Sequence, residues 1–201
     1  MDQITRRQFD SIRQLDGLSA RGQEGHYRLY CGYVDKYNEL IGQFHGGHAR
    51  ALAAEGELQS IKLDLTYALG AVKNHELFFE MLRDSAPETP AGDLAEAIRR
   101  DFGGVPVFLR DLKQTALASR GWAWTTYDLD RRCLFNYGGS TQQALPVWNA
   151  VPILAVDMYG HAYLYDFGHD RAAYVDAVLR NLDWSRIGVR YERVRQMTPP
   201  P

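Results

Sequence analysis

The chemistry this sequence can support concentrates in four side chains. His26 lies in GHYRLYCGYVDKYNEL, where Tyr27, Tyr30, Tyr33, Val34 and Tyr37 recur at three and four residues, the period of one helix face. His75 lies in KNHELFFEML on the face shared by Ala71, Phe78, Phe79 and Leu82, so its imidazole points where apolar side chains point. A buried imidazole needs a partner, because an unpaired buried polar group costs about 1–3 kcal/mol. Asp157 directly follows the apolar run PILAV, and an acid at the end of a buried strand must be paired or must coordinate something. His161 comes four residues later, a spacing that puts carboxylate and imidazole on one face if the chain turns helical there. Three neutral imidazoles and one carboxylate form a mixed set that suits Mn, Fe or Zn. The set is too hard for Cu(I) and too nitrogen-rich for Mg or Ca. The competing account is an Asp157–His161 ion pair beside two core histidines. His45, His48 and His169 read as solvated.

Other site chemistries find no support. The chain contains no GxSxG or Cys–His signature, no phosphate loop and no dinucleotide fingerprint. Cys31 and Cys133 are far apart and outside any CxxC pair, which argues against a disulfide framework or a thiolate zinc site. They read as two reduced, partly buried thiols.

The elements that must position the four residues are legible in outline. Residues 1–83 read as a helical hairpin: a tyrosine-faced helix over Gly25–Leu40, a turn or kink at HGGH (His45–His48), and a second helix over about Leu58–Leu82. DSAPETPAGD, residues 84–93, is the candidate linker. Residues 94–201 then read as an α+β domain with a small antiparallel sheet. Its helices are placed at Leu94–Phe102, Val105–Ala118 and Arg171–Leu182, its aromatic hairpin in GWAWTTYD and RCLFNYG, and a central strand at Pro152–Val156. The fold class is therefore α+β, with the helical half and the mixed half segregated.

Composition narrows the partners. In 201 residues, 23 Lys and Arg stand against 25 Asp and Glu, a formal charge of −2, so no overall field draws the chain to nucleic acid or an anionic membrane. The longest apolar stretch, Ala144–Tyr159, contains Asn149, Asp157 and two prolines and falls short of the ~20 residues a bilayer span needs. The first residues lack the order of a signal peptide, which makes the cytoplasm the expected compartment.

Four segments in order, GHYRLYCGYVDKYNEL, ALGAVKNHELFF, SRGWAW and PILAVDMYGHAYLYDF, resemble the iron/manganese superoxide dismutase family over about residues 18–192. The resemblance implies disproportionation of superoxide at one Mn or Fe ion held by His26, His75, Asp157 and His161. It further implies that Tyr33 is the gateway tyrosine, that Trp122 walls the metal pocket and that Arg171 lies near the channel mouth. Gln142, with Gln143 beside it as the other candidate, takes the place of a glutamine that hydrogen-bonds the metal's solvent ligand. Iron-preferring members often carry that glutamine four residues before the second histidine, where this chain has Ala71, so the manganese-like arrangement is favoured.

The chain also departs from the family. Gly160 replaces a glutamate and Leu164 a tyrosine that bridge the dimer, so a homodimer of the family type would be weakened. His26 precedes Tyr33 by seven residues rather than eight, which the absence of a one-residue helix bulge would reconcile. Tyr30 or Leu29 stands where a supporting histidine is usual. These departures motivate an alternative function: a metal-binding relative with weak or no dismutase activity, acting as a binding or interaction module.

Overall fold

A computed structural model describes residues 2–45, 55–84, 89–143 and 147–197. Among them are seven α-helices, a 3-10 turn at Asp10–Arg13 and one three-stranded sheet. Most of the HGGH segment, His48 included, and the middle of the expected linker lie outside the described residues.

Helix α1 (Ala20–His45) and helix α2 (Glu55–Glu80) form the N-terminal hairpin. Their buried faces follow from spacing: His26, Tyr30, Val34 and Tyr37 on α1 meet Leu65, Ala68, Val72, His75 and Phe79 on α2. Helix α1 is regular throughout, with no π-turn between His26 and Tyr33, so seven residues return both to one face after two turns.

Helix α3 (Gly92–Phe102) begins at the end of the expected linker and stops at Gly103, whose φ of +84° lets its N–H reach the Arg99 carbonyl. Helix α4 (Val105–Ala118) carries Pro106 in its first turn, where a missing N–H costs nothing. Strand β1 (Trp122–Asp128) pairs antiparallel with β2 (Cys133–Gly139) and with β3 (Ala150–Asp157). The tight turn after β1 is tied by the Asp128 carboxylate, which accepts the N–H groups of Asp130 and Arg131.

The sheet order β2-β1-β3 corrects one expectation: β1 is the central strand, and β3 lies at an edge. The apolar run of β3 reflects cover from α2 and α7 rather than a central place. Pro152 explains the edge position, since it has no N–H to donate, and the ladder slips one residue there, with Thr125 opposite Leu154 but Thr126 opposite Pro152.

Helix α5 (Gly160–Phe167) follows β3 directly. Helix α6 (Arg171–Arg180) is capped by Asp170 and helix α7 (Trp184–Arg195) by Asp183, each carboxylate accepting a first-turn N–H. One apolar core runs from Phe9 to Val194 and includes residues of both halves. The halves are also stitched by backbone: Arg83 N–H donates to the Asn181 carbonyl and Asp183 N–H to the Met81 carbonyl, both at 2.8 Å. Among the described residues no helix is long and apolar enough to cross a membrane.

Candidate metal centre

Four elements converge on one point. His26 enters from the inner face of α1, His75 from α2, Asp157 from the last position of β3, and His161 from the first turn of α5. Asp157 and His161 meet across a strand-to-helix junction, because α5 starts only at Gly160; the shared helix face considered from sequence is not what joins them. One donor atom from each of the four lies within 4.8 Å of every other. Asp157 and His75 are fully buried, His26 nearly so, and His161 is the open member, with 28% of its side chain exposed.

Hydrogen bonds fix the protons. His75 Nδ1 lies 2.7 Å from the Ala71 carbonyl oxygen, which can only accept, so Nδ1 carries the hydrogen. His75 Nε2 then presents a lone pair to the cluster, 3.6 Å from Asp157 Oδ2, and has no hydrogen-bond partner. Burial pushes the His75 pKa down to about 3, so the lone pair stays free at neutral pH. Burial also lowers His26, against the pull of Asp157. His26 Nε2 and His161 Nε2 each donate to Asp157 Oδ2 at 3.1 Å, and Tyr159 N–H donates to Oδ1 at 2.9 Å. Burial alone would raise the Asp157 pKa; the His161 and His26 hydrogen bonds outweigh it and hold the carboxyl below the usual carboxylate range.

A buried lone pair facing a carboxylate is unfavourable unless a cation sits between them. Those residues fit a metal ion: one unpartnered imidazole nitrogen, two more nitrogens and a carboxylate oxygen, gathered at a largely buried point. An Asp–His pair beside two core histidines leaves His75 Nε2 unexplained.

Around this cluster the structure places the other expected residues. The Trp122 ring stands edge-on to His75 at 5.1 Å, and its Nε1–H donates to Gln142 Oε1 at 2.8 Å. Gln142 is buried and its Nε2 has no well-formed partner, whereas Gln143 is exposed, so Gln142 is the glutamine brought to the site. The Tyr33 ring lies 5.5 Å from His75. Burial raises its phenol pKa, Tyr67 and Asp157 add to the rise, and Gln142 offsets part of it. Arg171 caps the end of α4 instead of standing free, donating to the carbonyls of Leu117 and Ser119 at 3.1 and 2.5 Å. Tyr30 does not support His26: its hydroxyl accepts Arg7 N–H and donates to Glu76, and His26 Nδ1 is left without a partner. Leu164 leans over Gly160, where a Cβ would lie 2.8 Å from Leu164 Cδ1. His169 is exposed, as expected, and Cys31 and Cys133 are free, half-buried thiols.

Sequence reasoning gave no site role to three neighbours. Asn74, adjacent to His75, donates from Nδ2 to the Gln142 carbonyl at 2.9 Å and accepts Trp124 Nε1–H at 3.2 Å. Tyr67 packs against Tyr33, with ring centroids 6.2 Å apart. Tyr159 stacks on His161 at 5.3 Å and an interplanar angle of 12°. The signal for Tyr67 was its spacing of seven before Asn74, two helical turns along α2.

Comparison with known proteins agrees with this geometry. Residues 90–190 match the family model for iron/manganese superoxide dismutases, C-terminal domain. The chain is 31% identical to a superoxide dismutase [Fe] of Aquifex aeolicus over 186 residues, covering 90% of this chain and 87% of that one. It is 31% identical to superoxide dismutase [Mn] 1 of Halobacterium salinarum, covering 85% and 84%. It is 32% identical to a superoxide dismutase [Fe] of Cupriavidus metallidurans, covering 89% and 90%. With a matching model over half its length and relatives of this identity over most of it, the chain belongs to the iron/manganese superoxide dismutase family.

Proposed function

We propose that the chain disproportionates superoxide to oxygen and hydrogen peroxide at one Mn or Fe ion held by His26, His75, His161 and Asp157. The observation that carries this reading is the buried His75 Nε2 lone pair, unpartnered and aimed at a carboxylate. When bound, such an ion supplies one-electron chemistry, taking an electron from one superoxide and giving one to the next, which leaves with two protons as peroxide.

The chain's own residues prepare for that chemistry. Ala71 fixes the His75 tautomer through Nδ1, the usual way a protein orients an imidazole ligand. Asp157 supplies the negative charge that offsets part of the cation's. Trp122 holds Gln142 by its carbonyl end, leaving Nε2 to donate within the site. Tyr33 keeps its phenolic proton to high pH and serves as a proton source beside His75. Arg171, held on the carbonyls at the end of α4, places a guanidinium in this half of the chain whose charge would add to the attraction for an anion.

Mn is the proposed metal, because Gln142 comes from the segment after β2 and Ala71 occupies the alternative position on α2. Iron-named and manganese-named relatives match at the same identity, so Gln142 and Ala71 carry this choice. Residues 1–83 and 94–201 are proposed as two domains linked by 84–93, set in the cytoplasm, where Cys31 and Cys133 stay reduced. A homodimer of the family type is proposed in weakened form, since Gly160 and Leu164 offer no polar bridge.

A second reading, a metal-binding relative with slow dismutation, is favoured by one observation: His161 is the open ligand and no acid stands at position 160. Superoxide removal per bound metal in the loaded wild type, with His75→Ala as the metal-depleted control, separates the two. Fast removal that disappears with His75 supports the dismutase. A loaded wild type that removes no superoxide refutes it.

A further inference from the structure

Gly70 sits in the interior of α2, one turn before Asn74 and five residues before His75. Glycine weakens a helix interior relative to alanine, so its presence there calls for a local reason. Gly25, Gly32, Gly42 and Gly188 are also helical, and a Cβ at any of them would meet nothing within 4 Å. At Gly70 a Cβ would lie 2.4 Å from the Gln142 carbonyl oxygen, 3.0 Å from its carbonyl carbon and 3.1 Å from Gln143 Cα. All three are backbone atoms, so no side-chain rotation relieves the overlap. The same carbonyl oxygen accepts Asn74 Nδ2–H at 2.9 Å. The Gln142 backbone is thus seated on a bare stretch of helix and tied there by a hydrogen bond from the next turn.

We propose that Gly70 is a positioning residue for the metal centre: its missing side chain lets the Gln142 turn seat against α2 and sets how far the Gln142 amide reaches past Trp122 toward Tyr33. The inference rests on the role given to Gln142 above. Restoring ordinary contact at 3.4 Å from the present 2.4 Å requires the Gln142 carbonyl to move by about 1 Å. A misplacement of that size near a reacting centre costs up to about 10²-fold in rate.

The test compares Gly70→Ala with Gly42→Ala, using the Trp122 indole N–H resonance of the metal-free protein, which reports the 2.8 Å bond to Gln142 Oε1. Gly70→Ala moves that resonance toward its position in Gln142→Ala, and Gly42→Ala leaves it in place. In Mn-loaded protein, Gly70→Ala lowers superoxide turnover per bound metal by about tenfold or more. Added to Gln142→Ala it lowers turnover no further, whereas a general structural defect would add in full. An unmoved Trp122 resonance in folded Gly70→Ala, or a full additional loss in the double variant, overturns the proposal. If Gly70→Ala does not fold, the wild type provides the check. A strong nuclear Overhauser contact between the Gly70 and Gln143 Hα protons is expected, and its absence overturns the seat. These resonance and contact measurements need no metal, so they stand or fall apart from the dismutase reading.

Discussion

Replacing Asp157 by Asn keeps the side-chain shape and the oxygen that accepts Tyr159 N–H, and removes the one negative charge in the four-residue cluster. Two effects follow, and they separate in the presence and absence of metal. Without metal, the variant loses charge-assisted bonds from His26 and His161, each worth about 1.5–3 kcal/mol. With metal, a buried cation loses its counter-charge, which costs about 3–5 kcal/mol, or roughly two to four powers of ten in dissociation constant. At a metal concentration a thousand times the wild-type constant, binding stabilises the wild type by about 4 kcal/mol; a thousandfold weaker variant gains under about 0.5 kcal/mol. For a chain of this size 1 kcal/mol is about 2–4 °C, so a metal-induced rise in Tm of about 8–16 °C shrinks to about 1–2 °C. Calorimetry of stripped protein with and without Mn²⁺ reads both numbers. If the Asn variant gains as much from metal as the wild type, Asp157 is a structural acid and the reasoning fails.

His75→Ala is expected to destabilise the metal-free protein by about 2–4 kcal/mol, from the emptied space beside Trp122 and Phe79, and to abolish stoichiometric metal by elemental analysis. Trp122→Phe leaves Gln142 Oε1 without its donor; superoxide turnover per metal should fall about 10–100-fold while metal content is kept. The metal-free protein should lose stability as pH falls from about 6.5 to 3. The unfolded His75 takes up a proton near pH 6.5 and the buried one only near 3, so the unfolded state binds more protons throughout that window. The loss is a little over 1 kcal/mol per pH unit for that proton; His26, also lowered, acts in the same direction, and Asp157 adds to it below about pH 4. Thermal midpoints that stay level between pH 6.5 and 4 would contradict this.

What the sequence reveals and what it hides follow from the range of the forces involved. Helix α4 and the aromatic hairpin were legible because their signals are local: a Pro in the first turn, an alternating aromatic run, an Asp turn. Helix α7 escaped notice although Trp184, Ile187, Tyr191 and Val194 are spaced three and four apart behind the cap Asp183, because its other positions are almost all polar. The edge position of β3 is a matter of pairing over long separations, which an apolar run does not encode; Pro152 was the one local clue. The four clustered residues, His26, His75, Asp157 and His161, could be named because their types are rare on apolar faces. Their supports were harder: the Arg171 guanidinium donates to carbonyls at the end of α4, Tyr30 serves the N-terminal segment rather than His26, and the seat of Gln142 on Gly70 depends on two backbones 72 residues apart coming into contact.

The most direct measurement is anomalous diffraction from crystals of the metal-loaded protein, recorded at the Mn and Fe edges. The account predicts one peak per chain, at bonding distance from the Nε2 atoms of His26, His75 and His161 and from Asp157 Oδ2. A peak elsewhere, or fully loaded crystals with no peak among these four atoms, would contradict it.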